Sequence, residues 1–239
     1  MASAPRIDVK SALILAAIFV VVWVLWDTPI VYPIKIFVVC LHELGHAVAA
    51  LLTGGQVVSI QIFPDEGGVT LTRGGWPFVI LSAGYLGSLL AGGVLLYLSS
   101  HRRWGQGLMV ALAMLIAVST LLFFRNFFAV AYGLLAAAAM FFSAYRLPNT
   151  LNFYVAQFIA VASCLYAVLD IRSDLFAGAH VESGVVNDAV ALSQLTGIPS
   201  IIWAVLWMII SLVVLVFCLN LAARIQDRRE ARSSHAIRG

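Results

Sequence analysis

Charge is what this sequence has least of. Only 10% of its 239 residues are Asp, Glu, Lys or Arg, against 62% hydrophobic, whereas an average soluble domain is about 25% charged. Mean hydropathy is +1.01. Too little polar surface is available to coat a soluble fold, so that class is excluded and an integral, multi-pass membrane protein is expected. Cysteine is also scarce. Cys40, Cys164 and Cys218 are odd in number, lie in apolar segments and match no metal-binding spacing. They exclude a disulfide framework and a thiolate cluster, and read as buried thiols. Histidine is limited to five residues, only two of them in ligand register, too few for a di-iron oxygenase of the desaturase type. No inverted repeat stands out, and no series of acids and bases follows a path through the spans, which weighs against a transporter.

The few charges are unevenly placed. Arg224, Arg228, Arg229, Arg232 and Arg238 crowd the last stretch, and the net charge is +3. A solvated basic tail facing anionic headgroups is the expected reading. Nucleic-acid binding is not expected, because the tail lacks aromatics and membrane segments precede it. The apolar run from Ser11 to Trp26 is long, carries Trp23 and Trp26 near its end and has no small-residue cleavage site, so it reads as a span rather than a signal peptide.

A helical span needs about twenty apolar residues. Seven segments qualify, roughly 11–27, 34–53, 76–98, 107–124, 126–145, 150–170 and 199–221. The fold class expected is therefore an all-α polytopic membrane protein with six to eight spans. Residues 1–223 read as a single transmembrane domain and 224–239 as the basic tail. Loop charge gives only a slight orientation preference. Two segments are not spans. In 56–72, Val58, Ile60 and Ile62 alternate with Ser59 and Gln61, "PDEGG" supplies a turn, and Val69 and Leu71 resume the alternation, which predicts a small β-hairpin after the second span. Segment 171–198 is the most polar stretch between the two tails. Asn187 or Asp188 caps a short helix there, ending near Gly197 before Pro199. With seven spans, both segments lie on the membrane side where the second span ends.

That second span contains "HELGH". His42 and His46 are four residues apart, so on a helix they stand one above the other. Two imidazoles at this spacing chelate Zn²⁺, and Glu43 is placed to take a proton from the water that the ion activates. Gly45 removes a side chain beside the site. The pattern is short, and His and Glu paired with each other on one helix is the structural alternative. The setting favours the metal: ionisable groups inside a membrane are costly, and a bound cation offsets the cost.

A catalytic zinc site takes a third protein ligand and keeps its fourth position open. His101 and His235 sit in a basic loop and a basic tail. Asp170, Asp174, His180, Glu182 and Asp188 remain, all in or bordering 171–198. Asp188 is preferred, at a predicted helix start and followed by the small Ala189. Asp170, ending the sixth span, is the alternative, and a plain N-cap is the structural reading of Asp188.

Three stretches together resemble the site-2 protease family of intramembrane zinc metallopeptidases, in its B-like branch. "HELGHAVAA" (42–50) is similar to the family's metal helix. "SAGYLGSLLAG" (82–92) is similar to the small-residue helix packed against it. "NDAVALSQLTGIPSIIWAVLW" (187–207) is similar to the branch's terminal stretch. The resemblance implies His42 and His46 as ligands, Glu43 as base, and raises Asp188. The chain departs from better-known members where they carry a Gly-Pro pair and an asparagine, here Tyr85 and Ser88, and it has no Asn-Pro…Asp-Gly element. Gly84, Ser88 and Gly92 also form a small-xxx-small stripe that brings two helices close in lipid.

The function expected is zinc-dependent hydrolysis of a membrane-embedded or juxtamembrane peptide bond, with a membrane protein or transmembrane peptide as substrate. The hairpin offers an edge strand to which an extended peptide can pair. The alternative is a non-catalytic scaffold, or helix-binding protein, that retains the fold.

Overall fold

The computed structural model describes residues 9–177 and 187–218, without the side chains of 9–12, 167, 170 and 172–177. The tail 224–239 lies outside the described residues. In chain order the elements are α1 (Val9–Leu25), α2 (Tyr32–Leu52), β1 (Gln56–Ile62), β2 (Gly68–Arg73), α3 (Pro77–Ser99), a 3₁₀ turn at Arg102–Trp104, α4 (Gly105–Leu122), α5 (Phe127–Arg146), α6 (Asn149–Ala177) and α7 (Asp188–Thr196). A further helix, α8, runs over Ser200–Cys218. Among the described residues five helices are long and apolar enough to cross a membrane: α2, α3, α4 with its preceding turn, α5 and α8. A shorter apolar helix covers Leu13–Leu25, and α6 extends over 29 residues. The protein is thus a mostly helical, multi-pass membrane protein with one two-stranded sheet.

Helix α3 is central: it packs on α2, α6 and α7. Proline in the first turn opens both α2 and α3, where its missing N–H has no intrahelical partner to lose. The approach of α2 to α3 is close enough to exclude side chains. A Cβ on Gly45 would collide with the Ala83 carbonyl oxygen, and one on Gly87 would lie 2.9 Å from the Gly45 Cα. The small-residue stripe is therefore shared between neighbours rather than given to one. Gly84 faces α2, whereas a Cβ on Gly92 would meet Cys164 and Ser163 of α6. Residues eight apart drift by roughly 80° around a helix of 3.6 residues per turn, so a four-residue stripe winds away from a single partner.

The predicted hairpin forms, with its strands antiparallel. One part of its facing differs from the alternation read in the sequence. The register shifts between Val57 and Ser59, a bulge that turns Val58 outward, 45% exposed, while Ile60 and Ile62 are fully buried. A bulge inserts one residue, so the strand's face reverses beyond it. Across the ladder Ile60 pairs with Thr70 and Ile62 with Gly68, while Val69 and Leu71 pair with Gln61 and Ser59. Thr70 and Gly68, not Val69 and Leu71, thus share the inner face.

The hairpin folds back on α2. At its turn Glu66 meets the buried Lys35 of α2 at 2.9 Å, and the Tyr32 hydroxyl donates to Pro64 O at 2.7 Å. An unpaired lysine in an apolar span is costly, and Glu66 removes much of that cost. The outer edge of β1 is covered by the α4–α5 connection. Ile60 N–H donates to Phe123 O at 2.8 Å, and Arg125 N–H donates to Ile60 O at 3.1 Å. The Asn126 amide completes the edge, donating to Ile62 O and accepting from Ile62 N–H. Arg125 and Asn126, the only polar break between two apolar runs, therefore serve as a strand-like cover.

Candidate metal centre

Helix geometry sets the first two groups. His42 and His46, one turn apart on α2, are both buried, with ring centroids 4.9 Å apart. The Nδ1 of His46 lies 2.6 Å from Ile80 O on α3. A carbonyl only accepts, so Nδ1 carries a proton and donates it there, which leaves Nε2 as the ring nitrogen turned toward the site and able to serve as a ligand. His42 Nδ1 is buried without a hydrogen-bond partner among the described residues. Its ring is held by aromatic edges, with Tyr85 at 4.9 Å and Tyr166 at 6.2 Å between centroids. Tyr85, where better-known relatives of the resembled family differ, also packs on Trp207 of α8 at 5.2 Å, so α8 reaches the site through one intervening ring.

The third group arrives from α7. Asn187 caps this helix, its side chain accepting from Val190 N–H at 2.9 Å, and Gly197 ends it in a left-handed conformation, φ 75°, that glycine adopts without penalty. Because Asn187 takes the cap, the Asp188 carboxylate is free to face α2. Its Oδ2 lies 3.1 Å from His42 Nε2 and 3.2 Å from His46 Nε2. Burial alone would push the Asp188 carboxyl up, but the imidazoles, His46 foremost, hold it well below the usual carboxylate range. The side chains of Asp170 and Asp174, and the whole of His180 and Glu182, lie outside the described residues.

Two nitrogens and one carboxylate oxygen, all within 4.8 Å of one another, make a donor set of the kind that holds catalytic zinc. The space around them fits an ion. A Cβ on Gly84 would overlap His42 Nε2 and lie 2.6 Å from His46 Nε2, so this glycine leaves open the pocket that a side chain would fill. Gly84→Ala is expected to release zinc from the purified protein and to cost about 1–3 kcal/mol in overpacking. Bound zinc by elemental analysis and thermal unfolding without metal check the two effects separately.

Glu43 is buried one residue beyond His42, and the hairpin encloses it. The Thr70 hydroxyl lies 2.6 Å from Glu43 Oε2 and 3.0 Å from Glu43 O. A Cβ on Gly68 would lie 2.5 Å from Glu43 Oε1 and 2.8 Å from its Cγ. Sequence reasoning missed Thr70 and Gly68 as site residues. The cross-strand register that puts them on the inner face, Ile60 opposite Thr70 and Ile62 opposite Gly68, is set from the turn, and hydrophobic alternation points to Val69 and Leu71 instead.

Searches of curated proteins and of solved structures find no significant match for this chain. A family model described as Peptidase M50B-like matches residues 14–218, a stretch that takes in α2, the hairpin, α3 and α7. The chain therefore belongs to the M50B-like peptidases, the B-like branch of the site-2 protease family.

Proposed function

We propose that the protein is a zinc metalloendopeptidase that hydrolyses a membrane-embedded or juxtamembrane peptide bond. One observation carries this reading: His42 Nε2, His46 Nε2 and an Asp188 oxygen converge at 3.1–3.2 Å beside an intramembrane glutamate on the same helical turn. Family membership gives the peptidase class. In this reading His42, His46 and Asp188 hold the ion and Glu43 is the general base. Zn²⁺ bound there supplies Lewis acidity toward the scissile carbonyl and lowers the pKa of water to about 7. Glu43 accepts the proton of the attacking water and delivers it to the departing amine. Ile80 O keeps the His46 ring in its working tautomer, and the packed rings of Tyr85 and Tyr166 fix His42 and help keep bulk water away.

The substrate in this reading is a membrane protein or transmembrane peptide with a locally unwound stretch, since a helical amide is shielded from attack. Such a stretch needs a strand to pair with. The outer edge of β1 is occupied by residues 123–126, so β2 is the edge left open among the described residues. Its backbone orientation follows from the register. Ile60 spends its N–H and C=O outward, on Phe123 and Arg125, which makes Ile60–Thr70 a non-hydrogen-bonded pair. Thr70 therefore turns its own N–H and C=O to the open edge. Residues 1–223 act as one membrane domain in this reading, and 224–239 as a basic tail on anionic headgroups.

The test is metal and turnover together. Purified protein is expected to carry one zinc per chain. In proteoliposomes it is expected to cleave a fluorogenic transmembrane peptide, lose activity to a chelator and regain it with zinc. Absence of zinc, with thermal stability unchanged by chelator, would instead identify a non-catalytic scaffold that keeps the fold.

A further inference from the structure

Thr70 stands where two demands meet. Its backbone faces the open edge of β2, and its side chain faces Glu43. A threonine hydroxyl has one proton to give. Glu43 O, the more distant acceptor at 3.0 Å, is a main-chain carbonyl inside α2, where the helical ladder already uses it. Glu43 Oε2, at 2.6 Å, is the nearer acceptor and is not engaged by the helical ladder. The proton therefore goes to Oε2. Oε1 has no hydrogen bond among the described residues, and Gly68 supplies no side chain to cover it. The carboxylate is held by one oxygen and has the other free.

On the reading that Glu43 is the general base, we infer that Thr70 is its positioning residue: the hydroxyl fixes Oε2 and leaves Oε1 to move the proton. Gly68 is the second half of the device, since a larger residue would displace the carboxylate. The hairpin thereby has a role beyond pairing with a peptide. The strand that presents backbone to substrate also aims the base. It is anchored for this at three places: the Lys35–Glu66 ion pair, the Tyr32–Pro64 hydrogen bond and the cover of residues 123–126.

The test separates aim from docking. Thr70→Val removes the hydroxyl and keeps the backbone that would pair with a peptide. With a panel of fluorogenic transmembrane peptides containing helix-breaking residues, kcat is expected to fall roughly 10- to 100-fold, as for loss of a hydrogen bond to a charged group. KM, bound zinc and thermal stability should stay near those of the unmodified chain. Thr70→Ser, which retains a hydroxyl, should restore most of kcat. An unchanged kcat in Thr70→Val overturns the inference. So does failure of Thr70→Ser to restore it, or a fall in kcat matched by equal losses of zinc or stability. Glu43→Gln is measured alongside. If it cleaves at the unmodified rate, or if the unmodified chain cleaves none of the panel, the peptidase reading itself fails and the role of Thr70 with it. If Glu43→Gln is inactive while Thr70→Val is normal, only the role of Thr70 is lost.

Discussion

Glu43→Gln is expected to keep its zinc and lose cleavage, with kcat reduced roughly 10²- to 10⁴-fold, the range associated with a positioned general base. The substitution is nearly isosteric, and its amide oxygen can still accept the Thr70 hydrogen bond, so the fold around it should persist. What disappears is an oxygen able to take a proton from water and return it to the amine. Elemental analysis and single-turnover cleavage of a transmembrane peptide check the two halves of the claim. Zinc retained with full cleavage would remove Glu43 from the reaction. Zinc lost would mean that the carboxylate belongs to the cage instead.

Asp188→Asn has the second large effect. The substitution keeps size and hydrogen-bonding capacity but removes the charge that faces two imidazoles at 3.1 and 3.2 Å. Zinc affinity is expected to fall by more than about 100-fold, beyond what removal of an outer-shell partner costs, and activity at limiting zinc should fall with it. Competition with a chelator of known affinity gives the number. The matched control is Asp170→Asn, which should retain zinc. If instead Asp170→Asn strips the metal and Asp188→Asn does not, the third ligand is Asp170, and the proximity of Asp188 reflects ion pairing alone.

The site residues proposed from the sequence and those that only the structure brings beside them differ in the physics that places them. His42, Glu43 and His46 were legible because an α-helix has one geometry: i and i+4 share a face whatever packs around them. Asp188 was reachable for a related reason. A polar segment opening a short helix offers few acids, and local capping rules describe its start; the structure then shows Asn187 taking the cap, which capping propensity could not decide between adjacent Asn and Asp. Thr70 and Gly68 were not legible, because their facing follows from the cross-strand register set at the turn, which the alternation of Val69 and Leu71 does not reveal. The cover that Phe123, Arg125 and Asn126 place over β1 was hidden too, being a contact between segments some sixty residues apart. The Gly84–Ser88–Gly92 stripe announced tight packing but not that it is shared between α2 and α6, since spacing alone does not say where each turn of a helix will look.

The attachment of His46 to Ile80 O has a mechanical corollary. In the proposed metal site it joins one ligand to the backbone of α3, while Gly45 and Gly87 leave these two helices no slack, so two of the three proposed donors ride on a stiff platform. The remaining donor rides on a nine-residue helix. By linkage, any event that lifts α7 from this platform weakens ion retention by the same free energy with which the ion clamps α7 in place. Cargo entry that displaced α7 would accordingly register as faster zinc exchange, before any bond is cut.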